Sequence, residues 1–343
     1  MYKSLLNWYY TVARPLPWRV KNGRQEPYKV WVSEVMLQQT RAEAVIPYYL
    51  RFLEALPSVQ ALADAPLDTL YKLWEGLGYY SRVRNLQKAA KILCEQYDGR
   101  LPADYDALKK LPGIGDYTAG AIASIAFGIP VPAVDGNVLR VWARLTGDAR
   151  DILDPRTRAD IREKVAREIP PHAAGDFNQA LMELGATLCV PNTAPECAAC
   201  PWKPYCVGFR DGIAALLPNR APKQERRVEN HTLFVLRHGS LTGLVCRPAK
   251  GVLAGLWSIP DVLEALEESE VFPAVEALGL SPVRLYPLPP SKHLFTHIEW
   301  RMTAWLVEVA EPSETGKIHW FSPQDVENLA IPSAYRAYRG MLG

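Results

Sequence analysis

The chain has 343 residues, 39 Lys and Arg against 37 Asp and Glu, a formal net charge of +2, and 48% hydrophobic residues. That is apolar material enough for two domains, or one large domain with an appendage, and it excludes a disordered chain. The small net charge excludes a polycation, so a nucleic acid would have to be gripped by a local patch and backbone donors.

No uninterrupted apolar run reaches about 18 residues, so no membrane span is expected. The opening stretch MYKSLLNWYYTVARPLPWR lacks the basic, apolar and small-residue regions of a secretory signal, which leads to the expectation of a soluble, cytoplasmic protein. From Tyr2 to about Leu216 the apolar residues recur at spacings of three and four. KVWVSEVMLQQTRAEAVIPYYLRFLEAL, PLDTLYKLWEGL, YSRVRNLQKAAKILCEQY, DYDALKKL and RTRADIREKVAREI all read as helices. Within the first of these, Glu34 is surrounded by Val30, Trp31, Val32, Val35, Met36 and Leu37. Such surroundings raise a carboxyl pKa and make it available as a general acid, unless Glu34 merely faces solvent on a helix edge.

LPGIG follows, with Gly113 and Gly115 where the backbone must turn tightly ahead of Asp116, Tyr117 and an apolar helix running to Pro130. Glycines there let amides and a helix N-terminus approach an anion closely. With DYDALKKL before it, the stretch reads as a helix–hairpin–helix, whose ligand would be a nucleic-acid phosphate taken without sequence preference. Asp135 sits in PAVDGNV just ahead of the helix VLRVWARL, as an N-cap or as a working carboxylate. One protonated and one ionised carboxyl group are what cleavage of a glycosidic bond requires.

Cys189, Cys197, Cys200 and Cys206 fall in one loop with the spacing C-x7-C-x2-C-x5-C. In an intracellular chain such a cluster reads as a metal site rather than as disulfides. Zinc and a [4Fe–4S] cluster both accept four thiolates, and the unequal spacings suit the cluster better. Cys94 and Cys246 stand alone and are expected to be buried thiols. LLPNRAPKQERRVEN, with two prolines and Arg220, Lys223, Arg226 and Arg227, reads as a linker. Beyond it, HTLFVLRHGSLTGLVCRP reads as a hairpin and EWRMTAWLVEVAE as a strand, with DVLEALEES and PAVEALGL as helices. The expected architecture is multidomain: an all-α region over 1–216, a linker over 217–229 and a smaller α+β domain over 230–343.

Taken together, SEVMLQQT, WEGLGYYSRVRNL, LPGIGDYTAGAI, VDGNVLRV and the four-cysteine loop resemble the helix–hairpin–helix DNA glycosylases that carry an iron–sulfur cluster. Within them, SEVMLQQT and the second domain resemble the adenine DNA glycosylases of MutY type, and the resemblance spans nearly the whole chain. It implies a six-helix lobe over roughly 26–130 and an iron–sulfur lobe formed by 1–25 and 131–216, with Cys189, Cys197, Cys200 and Cys206 holding a [4Fe–4S] cluster. It implies a monomeric enzyme of base excision repair that removes adenine opposite 8-oxoguanine or guanine in double-stranded DNA, after the base leaves the stack.

The bifunctional lyase branch carries a lysine after the hairpin. Tyr117 stands there in this chain, and a phenol cannot form a Schiff base, so the expected reaction is hydrolysis alone. The resemblance makes Glu34 the acid that protonates adenine N7 and Asp135 the carboxylate that stabilises the oxocarbenium-like sugar, with Tyr117 and Asn137 positioning them. It puts Trp18, Arg19 and Leu37 near the extruded base and Gln39 and Tyr79 in the duplex around the lesion, with Thr40 also among the DNA or base contacts. Gly113 and Gly115 would meet the backbone, as would Arg82 with Arg84 and Lys88. The second domain resembles a Nudix fold without its run of metal-binding glutamates, and Phe295, Thr296 and His297 take the place of a lesion-reading Phe-Ser-His. The rival readings are a glycosylase of the same fold acting on mismatched thymine or oxidised pyrimidines, and a non-enzymatic iron–sulfur protein that only binds damaged DNA.

Overall fold

The apolar periodicity of the first 216 residues produces helices throughout. The computed structural model describes all residues except 21–24, 223–224 and 314–316, so part of the expected linker lies outside the described residues. It divides into two units, Met1–Ala65 with Ser81–Pro222, and Pro66–Tyr80 with Lys223–Gly343. In chain order the helices up to the second unit's sheet are α1 (Tyr2–Val12), α2 (Pro27–Leu37), α3 (Ala42–Ala55), α4 (Val59–Asp64), α5 (Leu67–Trp74), α6 (Ser81–Gln96), α7 (Tyr105–Lys109), α8 (Asp116–Phe127), α9 (Gly136–Thr146), α10 (Pro155–Glu168), α11 (Ala174–Thr187) and α12 (Val207–Arg210). Among the described residues no helix is long and apolar enough to cross a membrane.

The long apolar stretch read as one helix is two. It breaks after Leu37, where Gln39 adopts φ 58°, and the guanidinium of Arg82 closes the end of α2. Arg82 Nη1 donates to the carbonyl oxygens of Val35, Met36 and Gln38 at 2.9, 3.0 and 2.6 Å. This corrects the expectation that Arg82 faces phosphate: it is buried, and these bonds satisfy carbonyls that a helix C-terminus otherwise leaves without partners.

α8 buries residues on every side, as an apolar helix inside a bundle must. It stops at Gly128 (φ 72°), two residues before Pro130, with the Gly128 N–H bonded to the Ser124 carbonyl at 3.0 Å. The chain from 129 to 135 then lies hard against its neighbours. A Cβ on Gly120 would meet the Pro132 carbonyl oxygen at 2.1 Å. The fully buried Asn178 of α11 accepts from the Ala133 N–H (3.1 Å) and donates to the Val131 carbonyl (2.9 Å) and the Ser124 hydroxyl (2.8 Å). The backbone that delivers Asp135 is therefore fixed from two helices.

In the second unit the strands are β1 (Arg227–His238), β2 (Leu241–Cys246), β3 (Trp257–Ser258), β4 (Asp261–Val262), β5 (Pro282–Leu294), β6 (Ile298–Val309) and β7 (Ile318–Phe321). The sheet runs β3-β2-β1-β6-β5, with β4 added to β1 and β7 to β2. β1 pairs with β6 in parallel and the other pairings are antiparallel. Alternate residues of β1 enter opposite cores: Leu233 and Val235 pack with Tyr335 and Tyr338, while Phe234 and Leu236 pack with Val271 and Val275 of α13 (Glu268–Glu276). The helix expected over DVLEALEES is absent. Asp261 and Val262 pair with Leu233 and Thr232, and α13 begins only where Glu267 and Glu270 form a reciprocal cap. Cys246 ends β2 on an exposed position and Cys94 is half-buried, so neither is the buried thiol expected.

α5 belongs to this second unit. Lys72 Nζ donates to the Glu327 and Leu329 carbonyls, and Glu75 accepts from Arg339 and from the Ile331 N–H. The close approach at Gly120 yields a direct expectation. Gly120→Ala lowers stability by about 1–3 kcal/mol or more in urea unfolding, because backbone must move, whereas Gly136→Ala, with open space around it, stays within about 0.5 kcal/mol.

Candidate active site

A cleft of about 720 Å³ opens in the helical unit, and nine of the residues singled out in the sequence line it. They are Trp18, Arg19, Glu34, Leu37, Gln39, Thr40, Tyr117, Asp135 and Asn137. Glu34 reaches it from the buried helix α2 and is itself 5% exposed. Burial pushes its carboxyl up to about 7, against a hydrogen bond from Tyr117 and the charge of Arg19, which pull it down, while Asp135 adds to the rise. The Tyr117 hydroxyl donates to Glu34 Oε2 and lies 3.3 Å from Met182 Sδ. Burial and the neighbouring carboxylates hold the Tyr117 phenol well above its ordinary range, so it stays a neutral donor.

Asp135 is both the N-cap of α9 and a wall of the cleft. Its Oδ1 accepts from the Val138 N–H at 2.8 Å and its Oδ2 from Asn137 Nδ2 at 2.7 Å. Burial raises its carboxyl, and these hydrogen bonds with the nearby Arg140 oppose the rise. Arg140 donates on to Asn137 Oδ1 (2.9 Å), to the Gly185 carbonyl (2.7 Å) and to the Cys189 carbonyl (2.8 Å). Gly185 is required there, since a Cβ would come within 2.6 Å of Asn137 Cβ. One turn later Arg144 donates to Cys189 Sγ (3.3 Å) and to the Val190 and Leu217 carbonyls, and its own carbonyl accepts from Cys206 Sγ (3.3 Å). A single helix thus connects the cleft to the cysteine loop.

Cys189, Cys197, Cys200 and Cys206 line one small cavity together with Arg144, Leu188, Phe209 and Ala214. Among the described residues no three His, Cys, Asp or Glu stand close enough to hold a single metal ion. Four thiols lining one cavity are a donor set that a group held by four thiolates, zinc or an iron–sulfur cluster, would accept.

The remaining residues fall elsewhere. Gly113 (φ 79°) makes the left-handed turn before α8, close to the side chain of Asn85, and Gly115 caps α8 with open space where a side chain would be. Asp116, next in line, is ion-paired with Lys109 (2.7 Å) and Arg162 (2.6 Å), which removes its repulsion for an approaching anion. In the second unit Tyr79, half-exposed with φ 48°, places its hydroxyl 3.2 Å from that of Thr296. Phe295 packs edge-on against Trp300 (4.9 Å) and His293 (4.6 Å), and the turn is tied down by Arg226 to the Phe295 carbonyl and by the Arg227 N–H to the His297 carbonyl. Thr296 and His297 are exposed.

Sequence reading missed Arg14, Gln179, Met182 and Glu183, which also line the cleft. The last three share one face of α11, and the signal that could have found them is the pair of polar residues four apart, Gln179 and Glu183, with Met182 between them.

Residues 32–167 match the HhH-GPD superfamily of base excision DNA repair proteins, and residues 232–339 match the NUDIX domain family. An adenine DNA glycosylase of Mus musculus is 35% identical over 97% of this chain and 76% of its own length. The adenine DNA glycosylase of Buchnera aphidicola subsp. Baizongia pistaciae is 31% identical over 97% of this chain and 93% of its own. The structure of a thermostable thymine-DNA glycosylase superposes with a TM-score of 0.55 at 27% identity, covering 61% of this chain and 95% of that one.

The raised Glu34 pKa carries a stability consequence. Below about pH 4.5 the folded and unfolded forms are both protonated and the group costs nothing. Between there and about pH 7 only the unfolded form ionises, so stability falls as pH rises, by about 3 kcal/mol in all at about 1.4 kcal/mol per unit. Glu34→Gln should therefore unfold at a urea concentration close to that of the parent at pH 4 and clearly higher at pH 8; a difference independent of pH would contradict the assignment.

Proposed function

The chain belongs to the adenine DNA glycosylases, hydrolases of base excision repair, and from that premise we propose that it removes adenine paired with 8-oxoguanine or guanine from duplex DNA by hydrolysis alone. The observation that carries the reading is the cleft itself, in which a buried Glu34 with a carboxyl near 7 shares its walls with Asp135, Asn137 and a tyrosine rather than an amine. Near neutral pH a substantial fraction of Glu34 keeps its proton and can deliver it to N7 of a flipped adenine. As the N-glycosidic bond breaks, its electron pair leaves with the base on N9. Asp135, both of whose oxygens accept hydrogen bonds as a carboxylate does, faces the cationic sugar, and water adds at C1′ while passing its proton to a cleft carboxylate, Asp135 or the Glu34 left ionised by the first step. Tyr117 and Asn137 orient the two carboxyl groups.

Duplex DNA would meet the N-terminus of α8 through the Gly113–Gly115 turn, where the open space beside Gly115 leaves the backbone uncovered for a phosphate to approach. Trp18, Arg19, Leu37 and Thr40 would contact the extruded adenine, and Gln39 the duplex. In the second unit, Tyr79 with Phe295, Thr296 and His297 would read 8-oxoguanine, the Thr296 hydroxyl accepting from N7–H of the lesion. The four cysteines would hold a [4Fe–4S] cluster, which pins the loop 189–206 and, through Arg140 and Arg144, the α9 helix behind Asp135. We propose the expected domain plan, helical over 1–216 and Nudix-like over 230–343, with the Pro66–Tyr80 segment serving the second unit as well.

Single-turnover base release from duplexes with adenine opposite 8-oxoguanine, guanine or thymine, and with thymine opposite guanine, tests this. The expectation is release of adenine from the first two only, with an intact abasic strand, and a loss of about 10²-fold or more in Asp135→Asn. Release of thymine would favour the thymine-mismatch reading, and tight binding without release of any base would favour a protein that only binds damage.

A further inference from the structure

α11 presents to the cleft a buried carboxylate that the mechanism above leaves without a role. Glu183 is 1% exposed, yet it holds two cations. Its Oε1 accepts from Arg14 Nε (2.7 Å) and from the Arg14 N–H (3.2 Å), and its Oε2 from Arg14 Nη2 (2.9 Å) and Arg19 Nη2 (2.8 Å). Arg14 also meets Glu43 of α3 at 2.7 Å. Arg19 is fastened further by donation to the Arg14 carbonyl (3.3 Å) and by stacking over the Tyr9 ring of α1 (5.6 Å). Burial alone would raise the Glu183 carboxyl, but the hydrogen bonds from Arg14 and Arg19 outweigh it and hold the group below its ordinary range, as a carboxylate.

The consequence lies at Glu34. The charged and titratable groups that bear on it are Tyr117 from α8, Asp135 from the cap of α9 and Arg19 from the segment after α1, with Arg14, Glu43 and Glu183 lining the same cleft. Arg19 is the cation whose charge already pulls the Glu34 carboxyl down. A guanidinium released from Glu183 would be free to move within the cleft that Glu34 lines, and an opposite charge at close range lowers a carboxyl pKa by about 1–3 units.

We propose that Glu183 is a positioning residue of base removal: by anchoring Arg19 it keeps that guanidinium from pairing with Glu34, so that Glu34 retains the proton the leaving base needs. The proposal rests on Glu34 being the acid, as read above.

The test is the pH profile of single-turnover adenine release by the metal-loaded enzyme, with Glu183→Gln, Arg19→Met, the double variant and Glu34→Gln beside the parent. Because the acid must be protonated, the rate descends above its pKa, and a lowered pKa moves that descent to lower pH. Glu183→Gln should move it acidward by about one pH unit or more, and adding Arg19→Met should bring it back to the parental position or above. A Glu183→Gln enzyme that is slower at every pH with its descent unmoved would overturn the proposal, leaving Glu183 a matter of folding only. Should Glu183→Gln fail to fold, Arg19→Met alone must move the descent to higher pH, and an unmoved descent there overturns the proposal equally. A Glu34→Gln enzyme with parental rate and profile would instead remove the acid reading itself, and this inference with it.

Discussion

Everything at the cleft depends on the start of α9, where one carboxylate both caps a helix and lines the cleft. The Val138 and Asn137 donors that satisfy Asp135 are supplied by the helix it begins, so the group cannot rotate away without exposing a helix end. The same helix is gripped one and two turns on by Arg140 and Arg144, whose donors reach the backbone and sulfur of the cysteine loop. Approach from the other side is set by Gly120 and Asn178, which fix the chain as it enters the cap. The carboxylate is therefore placed by rigid elements on both sides, the condition under which electrostatic stabilisation of a transition state costs no reorganisation.

Glu34 is the complementary case. It stands on a helix so buried that ionisation is opposed, and the phenol that donates to it is itself kept neutral by burial. Burial raises both carboxyl groups of the cleft, but at Asp135 the Val138 amide and Asn137 oppose the rise, whereas at Glu34 the opposition comes from Tyr117 and from Arg19, itself tied to Glu183.

Much of this was legible from residues alone, for identifiable reasons. Glu34 stands out because most of the helix around it is apolar, the cysteines because their spacing is compact, and Gly113 because a left-handed turn admits little else. What escaped notice was hidden by three-dimensional context. Arg82 has the composition of a phosphate contact, but its helix faces the end of α2, whose carbonyls it serves. β5 contains Pro282, Pro287, Pro289 and Pro290, and no element is expected there from sequence; as the outer strand of the sheet it tolerates residues without N–H donors. Asp261 and Val262 lie in a pattern of helical period, yet pairing with β1 outweighs propensity. Glu183 and Arg14, 169 residues apart in sequence, become partners only through folding.

The central claim is that burial holds a proton on Glu34 near neutral pH. The measurement that reaches it most directly is a ¹³C carboxyl NMR titration of the protein with labelled glutamate, Glu34 being identified by its loss in Glu34→Gln. A midpoint near pH 7 is the predicted result. A midpoint near 4.5, the ordinary glutamate value, would contradict the account, because no acid would then remain in the cleft to assist the departing base.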